Sequence, residues 1–168
     1  MSLRRHGRMI CFDDGGDRFT MRAAGIALHD GHVLVQRALH DTHWALPGGR
    51  MEQGETSSEA LLREMQEELL QVVEVGPLGF VVESFFPHQG RQFHEVGLFH
   101  RMVVPDAFPR LLNTVCHTIE DGGVSVEFAW LPADPTSLAA AQVNPAPLRP
   151  HLAAAPAGVM HLVNRETA

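Results

Sequence analysis

Glu64, Glu67 and Glu68 are the residues of this chain with the clearest chemical potential. Spaced i, i+3 and i+4, they share one side of any helix that carries them. Three carboxylates this close repel one another and resist ionisation unless a cation sits among them. The same cluster is an oxygen-rich site for a hard divalent ion such as Mg²⁺, which keeps coordination positions open for water and phosphate. A solvated acidic face is the more ordinary role of such a triplet, and Arg63 can offset part of the repulsion by pairing with Glu67 or Glu59. Ala60, in the middle of the acidic side, is small and leaves room for something bulky.

The helix beneath these groups announces its own start. Thr56-Ser57-Ser58-Glu59 is a capping box, in which the threonine hydroxyl caps the backbone and Glu59 reaches back. A helix is therefore predicted from Ser57 to about Leu69. At ~100° per residue, Leu61, Leu62, Met65 and Leu69 form a core-facing stripe opposite the carboxylates.

Upstream, the chain runs Gly49-Arg50-Met51-Glu52-Gln53-Gly54-Glu55, then seven residues, then Arg63-Glu64-Met65-Gln66-Glu67-Glu68. This resembles the Nudix box: a glycine, five residues, a glutamate, seven residues, then Arg-Glu-aliphatic-any-Glu-Glu. Gly49, Glu55, Arg63, Glu64, Glu67 and Glu68 occupy the fixed positions. At about one chance in fifteen per position, a given register would match roughly once in ten million. Trp44-Ala45-Leu46-Pro47-Gly48-Gly49, Arg22-Ala23-Ala24-Gly25 and Glu127-Phe128-Ala129-Trp130-Leu131-Pro132 also look like the family. The resemblance covers about Phe19 to Leu152. The box departs from the pattern at its end, where Leu70 and Gln71 replace a glycine and an aliphatic residue. That glycine normally lets the chain leave the helix tightly. Leu70 also extends the apolar side of the helix, which predicts packing against Leu62 or Met65.

The resemblance implies an α/β fold, a Nudix-type α/β/α sandwich with a mixed sheet, and hydrolysis of a pyrophosphate bond in a nucleoside diphosphate derivative. Carried over residue by residue, Glu64, Glu67 and Glu68 would hold Mg²⁺ or Mn²⁺, with the Gly49 carbonyl as a further ligand. Glu55 and Arg63 would pair to hold loop to helix. Glu64 and Glu67 are expected to take part in catalysis, and Glu95 is the candidate for a base or an added metal ligand. Arg50 and Arg91 are candidates for phosphate contacts, and His94 reads as structural or surface. A Nudix module that binds or senses a nucleotide without turnover is the alternative. Pro87, sixteen residues after the box, resembles a marker of ADP-ribose-type members. The absence of tyrosine removes a marker of dinucleoside polyphosphate hydrolases, and no coenzyme A motif is visible. Nucleotide sugars and nucleoside triphosphates stay open as substrates.

Composition narrows the alternatives. All 13 basic residues are arginines, so P-loop, Schiff-base and kinase-type lysines are excluded. A net charge of -7 argues against general nucleic-acid binding. An acidic protein that handles phosphates normally relies on metal ions and a few placed arginines. No apolar run approaches the ~18 residues of a membrane helix, so a cytoplasmic enzyme with a small nucleotide substrate and no membrane partner is expected. A homodimer is left open. Cys11 and Cys116 read as two free buried thiols.

The 168 residues suit one domain, divided as an extension or hairpin at 1–18, a Nudix domain at 19–155 and a tail at 156–168. Residues 8–12 and the turn 13–17 suggest a short hairpin. Strands are predicted at 19–28, 32–38, 72–75, 79–86, 93–104 and 124–131, with turns at 29–31 and 87–90. Leu46-Pro47-Gly48-Gly49 reads as a break. A closing helix is expected near 145–155, and 132–150 carries no clear pattern.

Overall fold

The computed structural model describes residues 7–154 and 156–167. In chain order the strands begin with β1 (Cys11–Asp14), β2 (Asp17–Ile26), β3 (Leu28–His29), β4 (His32–Ala38), β5 (Trp44–Ala45) and β6 (Gly48–Arg50). Helix α1 (Ser57–Glu68) follows, then β7 (Glu74–His88), β8 (Arg91–Val103), β9 (Val115–Asp121) and β10 (Val124–Pro132). The chain closes with α2 (Pro135–Ala140), β11 (Val143–Asn144), a 3-10 helix (Ala146–His151) and β12 (Met160–Arg165).

These strands form two mixed sheets. The first runs β1-β2-β8-β7-β12, with β6 also paired to β2. Its β2–β8 and β7–β12 pairs are parallel and the others antiparallel. The second runs β11-β5-β4-β10-β9, with β3 on β4. The two meet where Leu34 N–H donates to the Ala27 carbonyl. Period-2 alternation sends neighbouring side chains to opposite faces. Ala23, Leu34, Phe128 and Trp130 thus enter a core beneath α1 with Leu61, Met65 and Leu69. Ala24, Val33, Val35 and Ala129 enter a second core covered by Leu138 of α2 and by Leu148. Helices on both sides of central sheets agree with the expected α/β sandwich, its sheet component being two mixed sheets.

Several local expectations are corrected. The stretches 72–75 and 79–86 are largely one long strand, β7, which absorbs Gly76, Pro77 and Leu78 as register shifts against β8. The turn at 29–31 joins β3 to β4, because β2 passes into the first sheet. Gly48 and Gly49 lie in β6 rather than in a break, since β2 offers them a ladder. Strand β9 was not anticipated. Residues 160–165, expected as a tail, form β12: its alternation is weak because it lies at a sheet edge, and its pairing with β7 is long-range. The cysteines are free but only half-buried. Leu62 faces solvent at 38% exposure, so the core stripe of α1 is Leu61, Met65 and Leu69, joined by Ala60.

Other expectations hold. The hairpins through Gly15-Gly16 and Gln89-Gly90 are present, the second with positive φ at both turn residues, as the twist of paired strands favours. The capping box is formed in both directions, with the Thr56 hydroxyl accepting from Glu59 N–H and the Glu59 carboxylate accepting from Thr56 N–H.

Candidate active site

Strand β6 enters along β2 and leaves through a short loop into α1, and its packing against the β2 backbone requires glycine at Gly48. A Cβ on Gly48 would lie 2.1 Å from the Ala23 carbonyl oxygen, and one on Gly49 would lie 2.2 Å from the Glu64 carboxylate. The side chain of Gln36 accepts from Gly48 N–H and donates to its carbonyl, at 3.3 and 3.2 Å. Arg22 donates to the carbonyls of Leu46 and Gly48.

Arg63 ties the loop to the helix. Its Nη2 and Nε donate to the two oxygens of Glu55 at 2.7 and 3.1 Å, and Nη2 also reaches the Arg50 carbonyl at 3.0 Å. Glu55 closes its own loop by accepting from Glu52 N–H at 2.6 Å. Burial alone would raise the Glu55 pKa, but Arg63 and the Glu52 N–H outweigh it and hold the carboxyl below its ordinary value. Arg63 is correspondingly raised, first by the Glu55 hydrogen bond. The paired geometry expected of Glu55 and Arg63 is thus present.

The three carboxylates meet different surroundings. Glu64 receives Arg63 Nη1 at 2.6 Å, yet its burial is deep enough to leave its pKa raised. Glu67 is the exposed member, with Arg63 at 3.7 Å. Glu68 is 6% exposed and its Oε2 is buried without a hydrogen-bond partner. Burial foremost, and then the charge of Glu64, push the Glu68 pKa up to about 8, against the opposing pull of Arg22. Among the described residues, no three acidic, histidine or cysteine side chains converge tightly enough to form a metal cluster as they stand. The donor set nevertheless suits a hard cation. An orphaned buried carboxylate oxygen, on Glu68, lies one turn from the half-buried carboxylate of Glu64, which rests against Gly49.

Beyond β6 lies a cleft of about 480 Å³, lined in part by Arg22, Gln36, Arg37, Arg50 and Glu95. It begins where the core covered by α2 ends. Strand positions that carried Ala24, Phe99 and Val82 continue on the same face as Thr20, Glu95 and Ser84. Glu95 accepts from the Thr20 hydroxyl at 3.0 Å. Arg37 stacks over Trp44 at 4.3 Å and pairs with Glu127 at 3.0 Å. Of the two arginines expected at phosphate, Arg50 lines the cleft. Arg91 does not: it lies at the β7–β8 turn, paired with Asp13 of β1 at 2.9 Å, because the next strand's hairpin brings that acid beside it. His94 points to the other face, stacked on Phe85 at 4.4 Å, in keeping with a structural part. Sequence reasoning did not single out Arg22, Gln36 and Arg37. The only available signal was the resemblance of the stretch containing Arg22.

The helix exit differs from expectation. Leu70 takes φ +56°, the left-handed conformation normally left to glycine, and is 67% exposed. It is no core residue, because that turn of backbone directs its side chain into solvent.

The family description "NUDIX domain" matches residues 19–152. No curated protein sequence matches this chain. Among solved structures, a NUDIX hydrolase from Nitrosomonas europaea is 18% identical over 99% of each chain, with a TM-score of 0.56. An ADP-ribose pyrophosphatase from Streptococcus suis is 13% identical over 86% of this chain and 98% of that one, with a TM-score of 0.53. The chain spans about half, 51%, of a UDP-X diphosphatase, which is 20% identical over 68% of this chain with a TM-score of 0.49. At these identities, the similarity to the first two structures shows a shared fold. With a family match over most of its length and every charged position of the box in place, this chain belongs to the NUDIX family of hydrolases.

Proposed function

We propose that the protein hydrolyses a pyrophosphate bond in a nucleoside diphosphate linked to another group, with Mg²⁺ or Mn²⁺ as cofactor. The observation that carries this reading is Glu68, a buried carboxylate with an orphaned oxygen, one turn from the half-buried carboxylate of Glu64. Glu64, Glu67 and Glu68 would hold the cation together with the Gly49 carbonyl, and the Glu55–Arg63 pair would keep loop and helix in register. A cation bound there supplies charge neutralisation of the diphosphate and activation of water. Arg22, Arg37 and Arg50 face the cleft and bind the phosphate oxygens. Glu95, oriented by Thr20, accepts the proton of the attacking water. The water oxygen bonds to one phosphorus, the bridging P–O bond breaks, and the bridging oxygen leaves with the electron pair.

No helix among the described residues is long and apolar enough to cross a membrane, which suits a small, freely diffusing nucleotide substrate. The competing reading, a module that binds nucleotide without turnover, draws on the hold that Arg63 has on Glu64. A phosphate-release screen over ADP-ribose, nucleotide sugars and nucleoside triphosphates separates the two. Turnover with Mg²⁺ that stops on chelation supports the hydrolase. Binding without turnover supports the module, and full turnover in excess chelator sinks the metal site.

A further inference from the structure

The far end of the cleft is built by a strand that the family match does not include. The match ends at residue 152, whereas β12 spans Met160–Arg165 and adds to the edge of the first sheet by pairing in parallel with β7. Register places Thr20, Glu95, Ser84 and Asn164 side by side across four strands. Thr20, Ser84 and Asn164 are buried polar groups, Asn164 at 6% exposure. Polar side chains on the face that carries Ala24, Phe99 and Phe80 two rows earlier cost folding free energy unless they are satisfied. Asn164 Nδ2 donates to Glu166 Oε1 at 3.2 Å, and both residues line the cleft. Next to them, Phe86 and Phe93 stack at 5.2 Å as an apolar wall.

We infer that Asn164 and Glu166 read the base of the nucleotide, and that the base they select is guanine. This rests on the hydrolase reading above and assigns specificity within the same cleft. Asn164 spends one amide N–H on Glu166 Oε1, so the pair presents its second N–H beside the remaining lone pairs of the carboxylate. Guanine offers the complement on one edge: the O6 acceptor, then the N1–H and N2–H donors. Adenine and cytosine each turn a ring-nitrogen lone pair toward the carboxylate, and uracil offers a single donor between two acceptors. A site built to pair with donors rejects bases that leave its carboxylate unmatched.

The test is calorimetric binding of GMP, AMP, CMP and UMP in the presence of Mg²⁺, run in parallel with hydrolysis of the corresponding diphosphate derivatives. Wild-type protein should prefer GMP by about ten- to a hundredfold, the discrimination expected of one bidentate pair. Glu166→Gln, at an exposed position, should bring that preference within about threefold by raising KM for guanine substrates while leaving kcat near its wild-type value. Asn164→Asp should weaken GMP binding by repelling O6. A preference that survives in Glu166→Gln, a preference for another base, or no preference at all overturns the guanine assignment while hydrolysis continues. If no nucleotide binds and none is hydrolysed, the hydrolase reading fails with it.

Discussion

The two ends of α1 are held in opposite ways. At its N-terminus a reciprocal capping box sets the first turn. The Glu55–Arg63 pair then locks the preceding loop to the second turn. At its C-terminus the last turn carries no basic residue, and the chain leaves through a leucine in the left-handed region. The carboxylates at 64 and 67 are therefore positioned from upstream, whereas the Glu68 carbonyl also meets His117 of β9 at 2.8 Å. Leu70 can replace a glycine because nothing in the site depends on its side chain. It is exposed, and its cost is local backbone strain of about 1–2 kcal/mol.

The largest effect that would break this contrast is expected at Glu68. Glu68→Gln should lower turnover by roughly 10²–10⁴-fold, the scale of losing a placed acid–base or metal-assisted step. It should also stabilise the metal-free fold at high pH. A carboxyl whose folded pKa is raised from 4.5 to about 8 contributes its full stability below 4.5 and loses it as pH rises toward 8. Thermal melts of metal-free wild type should thus fall over that window relative to Glu68→Gln, and Mg²⁺ should reverse the loss. Parallel curves would show that Glu68 is not ionising in a buried site.

Next in size is the loop clamp. Arg63→Ala leaves Glu55 and Glu64 without their common partner and should destabilise the fold by about 3 kcal/mol, as expected for breaking a partly buried pair. Turnover should fall as well, because Glu64 and the loop at Arg50 lose their common support. A denaturant midpoint within error of wild type would mean the clamp is only a surface pair.

The smallest effects probe the two ends directly and carry opposite signs. Thr56→Ala removes the cap and should cost about 1 kcal/mol. Leu70→Gly relieves the positive φ and should gain about 0.5–1 kcal/mol, less than the full strain because glycine also loosens the unfolded chain. Turnover of Leu70→Gly should stay within twofold of wild type (roughly the noise of such assays, ~0.4 kcal/mol). A lower melting temperature for Leu70→Gly would show that Leu70 contributes packing after all.

How much could be read without the structure follows from the range of each interaction. The capping box, the helix it starts and the line of carboxylates are set by neighbours within a turn or two. They were legible because helix geometry brings i, i+3 and i+4 together whatever the rest of the chain does. The Nudix box was legible for the same reason, its fixed positions falling within twenty residues. The hairpins at Gly15-Gly16 and Gln89-Gly90 likewise declared themselves through turn chemistry. What lay beyond reach depends on pairing across the chain. Amphipathicity alone does not say that Leu62 stands outside the core while Ala60 lies in it, because the docking of the helix on the sheets decides that. No local pattern brings Asp13 to Arg91 and withdraws that arginine from the cleft. Strand β12 meets β7 some eighty residues away, and only that pairing puts Asn164 and Glu166 beside the cleft. The sequence by itself determined the family, the helix and its charges, since these are local. The sheets decided which charges are buried and what stands at the far end of the cleft, because burial and register are set by contacts between strands distant in the chain.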